Sequence, residues 1–560
     1  MSEVRQIERR LGFVPSLASA GAIVVCLFGQ LGAIGLVGPD EPRYAWIARA
    51  MAQTGDWVTP RLYGQPWFEK PILYYWAAAV GFLLHLPSEW AARLPSACAA
   101  LAAAVAIGWL ARKHYGGDAI SLSSPWILAP LLFSTSVAAV GFARAATPDM
   151  LFSASITWAM VSAACVLRCG GALRAADAVP SGRKSDSWSL AFFGASLGLA
   201  VLAKGPAGVV LAGGSVGLWA LASKQWRKAL RLAHAIAIAS FCVVALPWYV
   251  ACEIRNPDFL RVFLWQQNFE RYLTPVFQHR QPFWFFGPII LLALVPWTAF
   301  LWPATQEGLR LWREKTWSNS SGLFFACWTV FPMVFFSFSK SKLPGYVLPA
   351  IPPLALLCSQ GAIRADTRSR RSSAALGWSL AVTWALIAGA GLFAIRRLFG
   401  GHEGANDVSS HFAVMPVSTL AGAAMAVLIM AAAAFYNRLT IAISVCALCL
   451  AANVEIANLR LLPILDSFFS ARPHAELMRN DLHPERIFTY RLRREWNYGL
   501  AFYFRRELPE WSANDPRPAL VLTTPDGLAQ IKLLGRFRGT LDETQTGLVY
   551  VPIEPAPATR

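Results

Sequence analysis

Apolar runs long enough to cross a bilayer recur along the first 460 residues of this chain, and they constrain its fold more than any motif does. They lie at about 13–37, 94–111, 121–142, 150–167, 188–203, 206–222, 233–250, 284–303, 321–338, 343–360, 375–395, 413–435 and 439–458. A hydrocarbon core roughly 30 Å thick takes about 20 apolar residues in helical form. Lipid offers the backbone no hydrogen-bond partners, so such runs must be helices. The pattern predicts a polytopic α-helical membrane protein with about thirteen transmembrane helices. Composition agrees. Of 560 residues, 56% are hydrophobic and 15% charged, where a soluble chain carries roughly 25% charged; the mean hydropathy is +0.43.

The net charge is +18. In a soluble protein that excess would suggest nucleic acid. Here the cations sit in short stretches between apolar runs, without the basic stripe and interleaved aromatics that nucleic-acid binding needs. No nucleic-acid partner is expected. The pattern is that of cytoplasmic loops under the positive-inside rule. With the N-terminus inside, Arg112–Lys113, Arg168 to Lys184, Lys224 to Arg231, Arg310 to Lys315, Arg364 to Arg371 and Arg438 all fall in the cytoplasm. This parity holds only if Pro71–Leu86, short and rich in Tyr and Trp, does not cross. It is read as a helix lying at the outer interface, where aromatics belong. The first run, after MSEVRQIERR, is long enough to span and is expected to be an uncleaved first helix rather than a signal peptide.

An odd number of spans puts the C-terminus outside. The expected division is a membrane domain over 1–459, with an outer loop at 38–92, and a periplasmic α/β domain over 460–560. In the tail, Arg486–Tyr490, Leu500–Phe504, Ala519–Thr523 and Gly547–Ile553 read as strands, and Arg472–Met478 and Gly527–Leu534 as helices. Tyr503, Arg505 and Arg506 read either as a solvated strand end or as contacts to a substrate. Of ten cysteines none follows Cys449, so the tail holds no disulfide, and Cys446 and Cys449 form a CxxC inside an apolar run, where small buried hydrophobes are the plain reading.

The outer loops hold the chemistry. Between the first two spans stands GPDEPRYAWIARAMAQTGDWVTPRLYGQPWFEKPILYYW, with Asp40 and Glu41 at the end of the first run, Arg43 beyond them, and Glu69 and Lys70 before the interfacial helix. The same parity brings Arg144, Asp149, Lys204, Trp248, Tyr249, Glu270, Arg271, His279, Arg280, Lys340 and Lys342 to that face. Ionisable residues at a membrane boundary are costly and are usually paired or functional. Several cations beside a few carboxylates suit a lipid-borne anion. Lys and Arg would clamp phosphate oxygens, and the carboxylates would act as a base or hold a divalent metal. Any one of these residues could instead be a snorkelling anchor or half of a structural ion pair.

The outer loop closely resembles that of the aminoarabinose transferases and their relatives, glycosyltransferases of the GT-C fold that also include the protein O-mannosyltransferases. The resemblance continues, in order, through RLPSA (Arg93–Ala97), TPDM (Thr147–Met150), KGP (Lys204–Pro206), LPWY (Leu246–Tyr249), HRQPFW (His279–Trp284) and SKLPGYVLP (Ser341–Pro349), as far as about residue 360. It implies a sugar carried on undecaprenyl phosphate, an acceptor such as lipid A, another glycan or a protein, and inversion at the anomeric carbon. The specific expectation is 4-amino-4-deoxy-L-arabinose on lipid A, in the bacterial inner membrane, by a monomer. By position, Asp40 matches the essential acid, with Glu41 beside it and Asp149 as a second acid. Lys70, Arg43, Lys204, Arg280 and Lys342 match contacts to the lipid phosphate, and Glu69 and His279 match metal ligands. No organic cofactor is implied. A transporter or flippase would instead show inverted repeats and midplane charges, and the polar residues gather at one face.

Overall fold

The computed structural model describes residues 16–115, 122–169, 183–270, 281–399, 417–481, 486–512, 519–533, 541–543 and 548–553. Each of the apolar runs meets helical structure. The first falls on α1 (Ser16–Phe28). The helix α2 (Asp40–Thr54), a short hairpin of β1 (Arg61–Leu62) and β2 (Gln65–Pro66), and α3 (Leu73–Leu83) follow in the loop. Then come α4 (Ser88–Tyr115), α5 (Pro125–Ser134), α6 (Val137–Ala143), α7 (Asp149–Leu167), α8 (Arg183–Lys204), α9 (Ala207–Ser223), α10 (Ala235–Arg255), α11 (Phe286–Ala293), α12 (Leu301–Arg313), α13 (Ser321–Phe338), α14 (Ile351–Arg368), α15 (Arg370–Phe399), α16 (Val417–Phe435) and α17 (Leu439–Ile456).

Among the described residues, eight helices are long and apolar enough to cross a membrane, and up to ten if each bent pair counts as one span. The bent pairs are α5 with α6, at 63°, and the segments 283–293 and 298–313, at 110°. Three more runs fall on shorter apolar helices: Ser16–Phe28, Ala207–Ser223 and Ala421–Phe435. The run at 284–303 is thus not one straight helix. It turns after Ala293, and α12 carries Arg310 and Arg313 in its last turn. A helix with charge on one side settles along an interface rather than through the core. With 11 residues, α3 is about 16 Å long, too short for a bilayer core. It packs instead with α2 and α4, and Tyr74 donates its hydroxyl to the Ala92 carbonyl at 2.7 Å.

The membrane helices share one continuous core, rich in Ala at the close approaches. Small side chains let helix backbones meet where lipid supplies no hydrophobic drive. Gly361 shows the limit: a Cβ there would stand 2.4 Å from the Ala304 nitrogen. All ten cysteines are free, and Cys446 accepts the Trp384 indole N–H at 3.0 Å inside the core.

From α17 the chain runs through a π-helical turn, Ala457–Leu461, into α18 (Leu462–Phe469), so the helix passes residue 460 before the tail begins. The tail is α19 (Arg472–Asp481), β3 (Ile487–Thr489), α20 (Arg494–Phe504), β4 (Ala519–Thr523), α21 (Pro525–Leu533), β5 (Leu541–Glu543) and β6 (Val549–Ile553). Its sheet has the order β3-β4-β6-β5, with β3 and β4 parallel and the other pairs antiparallel. Alternation divides the strands cleanly. Ile487, Leu520, Leu522 and Tyr550 face a core that includes Leu500 of α20. Phe488, Val521, Val549 and Val551 face another that includes Leu528 and Ile531 of α21.

One strand expectation fails. Leu500–Phe504 is the end of α20, not a strand. The aromatic string AFYF looks like a strand when taken alone. Extended back to Arg494, the apolar positions Trp496, Leu500 and Tyr503 recur at helical spacing. The strand β5 was missed, since LDE carries no apolar alternation.

The tail is pinned to the membrane body at several points. Arg49 donates to the Phe502 carbonyl at 2.7 Å and lies 4.0 Å over its ring. Arg472 grips Asp466 at 2.6 Å and donates to the Gly32 carbonyl at 2.9 Å. Gly35 sits where the first outer turn meets the tail, and a Cβ there would lie 2.0 Å from the Ser470 Oγ.

Candidate active site

Two helices begin with the same dipeptide, Pro–Asp. In α2 the N-cap is Pro39 and Asp40 follows; in α7 the N-cap is Pro148 and Asp149 follows. A carboxylate is favoured there by the four unpaired N–H groups and the positive end of the helix dipole. Gly38, at φ +67°, supplies the turn into α2 that a side chain would resist. The opposite device places a cation. Lys204 is the last residue of α8, where the dipole favours positive charge, and the chain turns away through Gly205 at φ +89°. Lys204 pairs with Asp149 and lies 5.0 Å over the ring of Tyr346.

Arg43 lies one turn into α2. Its Nη2 donates to Asp40 Oδ1 at 2.5 Å and meets Glu69 Oε2 at 3.0 Å. Lys70 meets the other oxygen of Glu69 at 3.5 Å. The guanidinium is held by the rings of Tyr44, Trp67 and Tyr498, at 5.2, 5.7 and 5.7 Å. Its Nε–H is buried and has no hydrogen-bond partner among the described residues. Asp40, Glu69, Arg43 and Lys70 thus form one charged recess, and Asp149, paired with Lys204, lies close enough to act on Asp40.

Burial lifts the Asp40 carboxyl above the usual carboxylate range. Arg43 and Lys70 oppose the shift, while Glu69 and Asp149 add to it. The side chain is nonetheless 55% exposed, so the recess is open to an incoming group. Burial works against the charge of Arg43, but Glu69, Tyr44 and Asp40 outweigh it and hold the guanidinium protonated.

Glu41 is placed differently from its neighbour. Its carboxylate is buried, receives the Val37 N–H at 2.8 Å and the Ala146 N–H at 2.7 Å, and pairs with Arg93 Nη2 at 2.7 Å. Arg93 also donates to the carbonyls of Leu31, Ile34 and Gly35, each at 2.7 Å. This pair ties the end of the first span, α2, α4 and the turn before α7 into one knot beneath the recess. Expected beside Asp40 as part of the catalytic machinery, Glu41 has its oxygens spent on that knot. Lys342, expected at the lipid phosphate, is also engaged elsewhere. Its buried ammonium donates to the carbonyls of Gln281 at 3.0 Å and Ser339 at 2.7 Å.

His279 and Arg280 lie outside the described residues. Among those described, no three His, Cys, Asp or Glu side chains come together as a metal set. Glu69, the described member of the expected metal pair, faces Arg43 and Lys70, which oppose a cation.

Sequence reasoning missed several parts of the site. Arg93 stood in a quoted motif, and its position at the start of a span was the signal that could have marked it. Tyr498 comes from the tail, 455 positions after Arg43 in the numbering, and no local signal announces it. Tyr503, read as a strand end, donates its hydroxyl to Glu89 at 2.8 Å and accepts the Leu36 N–H at 2.8 Å.

The geometry has counterparts in known proteins. Residues 27–263 match the family described as dolichyl-phosphate-mannose-protein mannosyltransferase. The undecaprenyl phosphate-alpha-4-amino-4-deoxy-L-arabinose arabinosyl transferase of Edwardsiella ictaluri is 32% identical over 320 residues, 57% of this chain and 54% of that protein. The protein of the same name from Erwinia tasmaniensis is 31% identical over 326 residues, 58% of this chain and 55% of its own length. The matched region thus spans about half the length of these curated relatives. In fold, the chain superposes on the crystal structure of ArnT from Cupriavidus metallidurans bound to undecaprenyl phosphate with a TM-score of 0.74 and 24% identity, covering 96% of this chain and 97% of the other. Over its whole length the chain thus has the fold of ArnT, and over part of it the chain is similar in sequence to the arabinosyl transferases and to the mannosyltransferase family.

Proposed function

We propose that this protein transfers a sugar from undecaprenyl phosphate to an acceptor at the outer face of the bacterial inner membrane, with inversion. The observation that carries the reading is the recess in which Asp40 stands open to solvent beside Arg43 and Lys70, with the Lys204–Asp149 pair acting on it through Asp149. The acceptor oxygen attacks the anomeric carbon, the bond from that carbon to the phosphate oxygen breaks, and the lipid phosphate leaves with the electron pair. Cations fixed beforehand stabilise the charge that develops on the leaving oxygen. If the acceptor is a hydroxyl, Asp40 takes its proton, and a raised pKa makes it the better base. If the acceptor is a phosphate, Asp40 orients it and offsets positive charge on the sugar ring. Glu41 and Arg93 hold the recess in shape without touching substrate. Arg280, whose place in HRQPFW adjoins the described Gln281, is proposed as a further phosphate contact.

The specific reading is 4-amino-4-deoxy-L-arabinose carried to lipid A, supported by the names of the relatives above. A second reading, transfer to protein or to another glycan, is favoured by the mannosyltransferase match over residues 27–263. One experiment separates them: mass spectrometry of lipid A and of the lipid-linked sugar pool in deletion cells and in cells restored with Asp40→Asn. Loss of a lipid A sugar with accumulation of the carrier form, unrelieved by Asp40→Asn, supports the specific reading. Loss from a different glycan keeps the transferase and discards that acceptor. No change in any glycan, with Asp40→Asn behaving as wild type, removes the transferase reading.

A further inference from the structure

The tail holds a second crevice, separate from the recess, that no step above uses. It lies at the C-terminal ends of the parallel strands β3 and β4. The chain leaves β3 into α20, which packs on one face of the sheet with Leu500. It leaves β4 into α21, which packs on the other face with Leu528 and Ile531. Where consecutive connections leave neighbouring parallel strands for opposite faces, their loops part and open a crevice that commonly takes a ligand. Here the crevice is a cavity of 490 Å³ whose lining includes Arg491, Arg493, Trp496, Thr524, Asp526 and Gln530.

The chemistry of that lining is specific. Two arginines line it, Arg491 lies 5.7 Å over the Tyr490 ring, and among the described residues neither arginine forms an ion pair with a carboxylate. Planar guanidinium forks suit phosphate or carboxylate oxygens. Trp496, steadied edge-on by His474 at 5.3 Å, offers an amphipathic surface of the sort on which a sugar ring rests. Asp526 accepts hydroxyl donors. Gln530, whose oxygen receives the Tyr490 hydroxyl at 3.3 Å, keeps its amide N–H groups for a ligand oxygen. The lining thus pairs two cations with an aromatic face and two planar polar groups.

The crevice is also connected to the recess. Trp496 and Tyr498 belong to α20, and the Tyr498 ring stands 5.7 Å from the Arg43 guanidinium. One helix therefore carries a wall of the crevice and a wall of the recess. We propose that the crevice binds an anionic sugar, a sugar phosphate being the plainest case, as the distal part of the acceptor. This inference rests on the transfer reading for the word acceptor, though binding itself does not require it.

The test is equilibrium binding to the full chain in nanodiscs, without donor. The probes are glucosamine 1-phosphate, glucosamine, inorganic phosphate and, in a separate arm, lipid A placed in the nanodisc. The expected result is saturable binding of glucosamine 1-phosphate, weakened at least about tenfold by Arg491→Gln with Arg493→Gln and also weakened by Asp526→Asn. Both arginines are exposed, so thermal unfolding should be unchanged and serves as the folding control. Binding of the soluble probe shows that the headgroup suffices; arginine-dependent binding of lipid A alone shows that it must be presented on a lipid. Binding unaffected by the arginine pair in both arms overturns the proposal, as does inorganic phosphate binding as tightly as the sugar phosphate. The two readings fail separately. A chain that binds in this way while every cellular glycan is unchanged sinks the transfer reading and leaves the crevice. A chain that transfers sugar with an unaltered acceptor KM in the double variant sinks the crevice and leaves the transfer.

Discussion

Asp40 and Glu41 are adjacent, chemically alike and equally conspicuous in the sequence, yet they do unlike work. Successive helical residues point about 100° apart, so the first turn of α2 sends one carboxylate to the open recess and the other into a buried knot. Asp40→Asn should lower kcat roughly 10²–10⁴-fold with the unfolding temperature unchanged. Glu41→Gln should do the reverse: breaking a buried pair by removing one partner costs about 3–5 kcal/mol, read as a fall in thermal stability in detergent. Equal loss of stability in both variants would reject this division. The pH profile gives a finer check. A base works ionised, so kcat/KM should fall as pH drops through the pKa of Asp40, at a value above the ordinary ~3.9. Arg43 pulls that pKa down, so Arg43→Gln should move the acid limb to higher pH; an unmoved limb would remove Asp40 as the group responsible.

The element that joins the two halves of the molecule is α20. It carries Tyr498 to Arg43, Phe502 to Arg49 and Tyr503 to Glu89. Its neighbour α19 contributes a lock that titrates. His474 donates from Nε2 to the Ser467 carbonyl at 2.9 Å and shares a hydrogen bond with the Tyr550 hydroxyl through Nδ1 at 2.5 Å. Burial lowers its pKa below the usual histidine value. The sign follows: the unfolded chain takes the proton first as pH falls, binds more protons than the folded one, and is favoured. Stability should therefore decline as pH drops below about 6.5 and level off below the folded pKa. His474→Asn should flatten that slope between pH 7 and 5 in thermal unfolding. A slope identical to wild type would show that the acid sensitivity lies elsewhere.

Across the whole molecule, the recess and the tail occupy the pole that charge parity expects to face outward. An impermeant maleimide tests this on intact spheroplasts of a cysteine-free background. Glu510→Cys, exposed in the tail, should be labelled, and Arg227→Cys, exposed in the short helix Trp226–Ala229 after α9, should be protected until the membrane is permeabilised. The opposite pattern would invert the topology and with it the side assigned to the proposed transfer.

How much of this could be read beforehand differs by level for physical reasons. The helical body was legible because lipid imposes one solution on a long apolar run, and the site pole was legible because charges are tolerated only at the ends of such runs. Asp40, Arg43, Glu69, Lys70, Asp149 and Lys204 were singled out in this way, each near the end of a helix or in the loop between two. The shape of the run at 284–303 was not legible, since hydropathy measures length and says nothing about a 110° bend. Nor could α20 be told from a strand on five residues, because short apolar strings fit either period. The sequence by itself determined that this chain spans a membrane and gathers cations and carboxylates at one face. Only the tertiary structure decided which carboxylate is open and which is spent, that Lys342 holds carbonyls, and that a tail tyrosine closes over Arg43. Those outcomes depend on contacts between residues up to 455 positions apart, and local pattern carries no information about such distances.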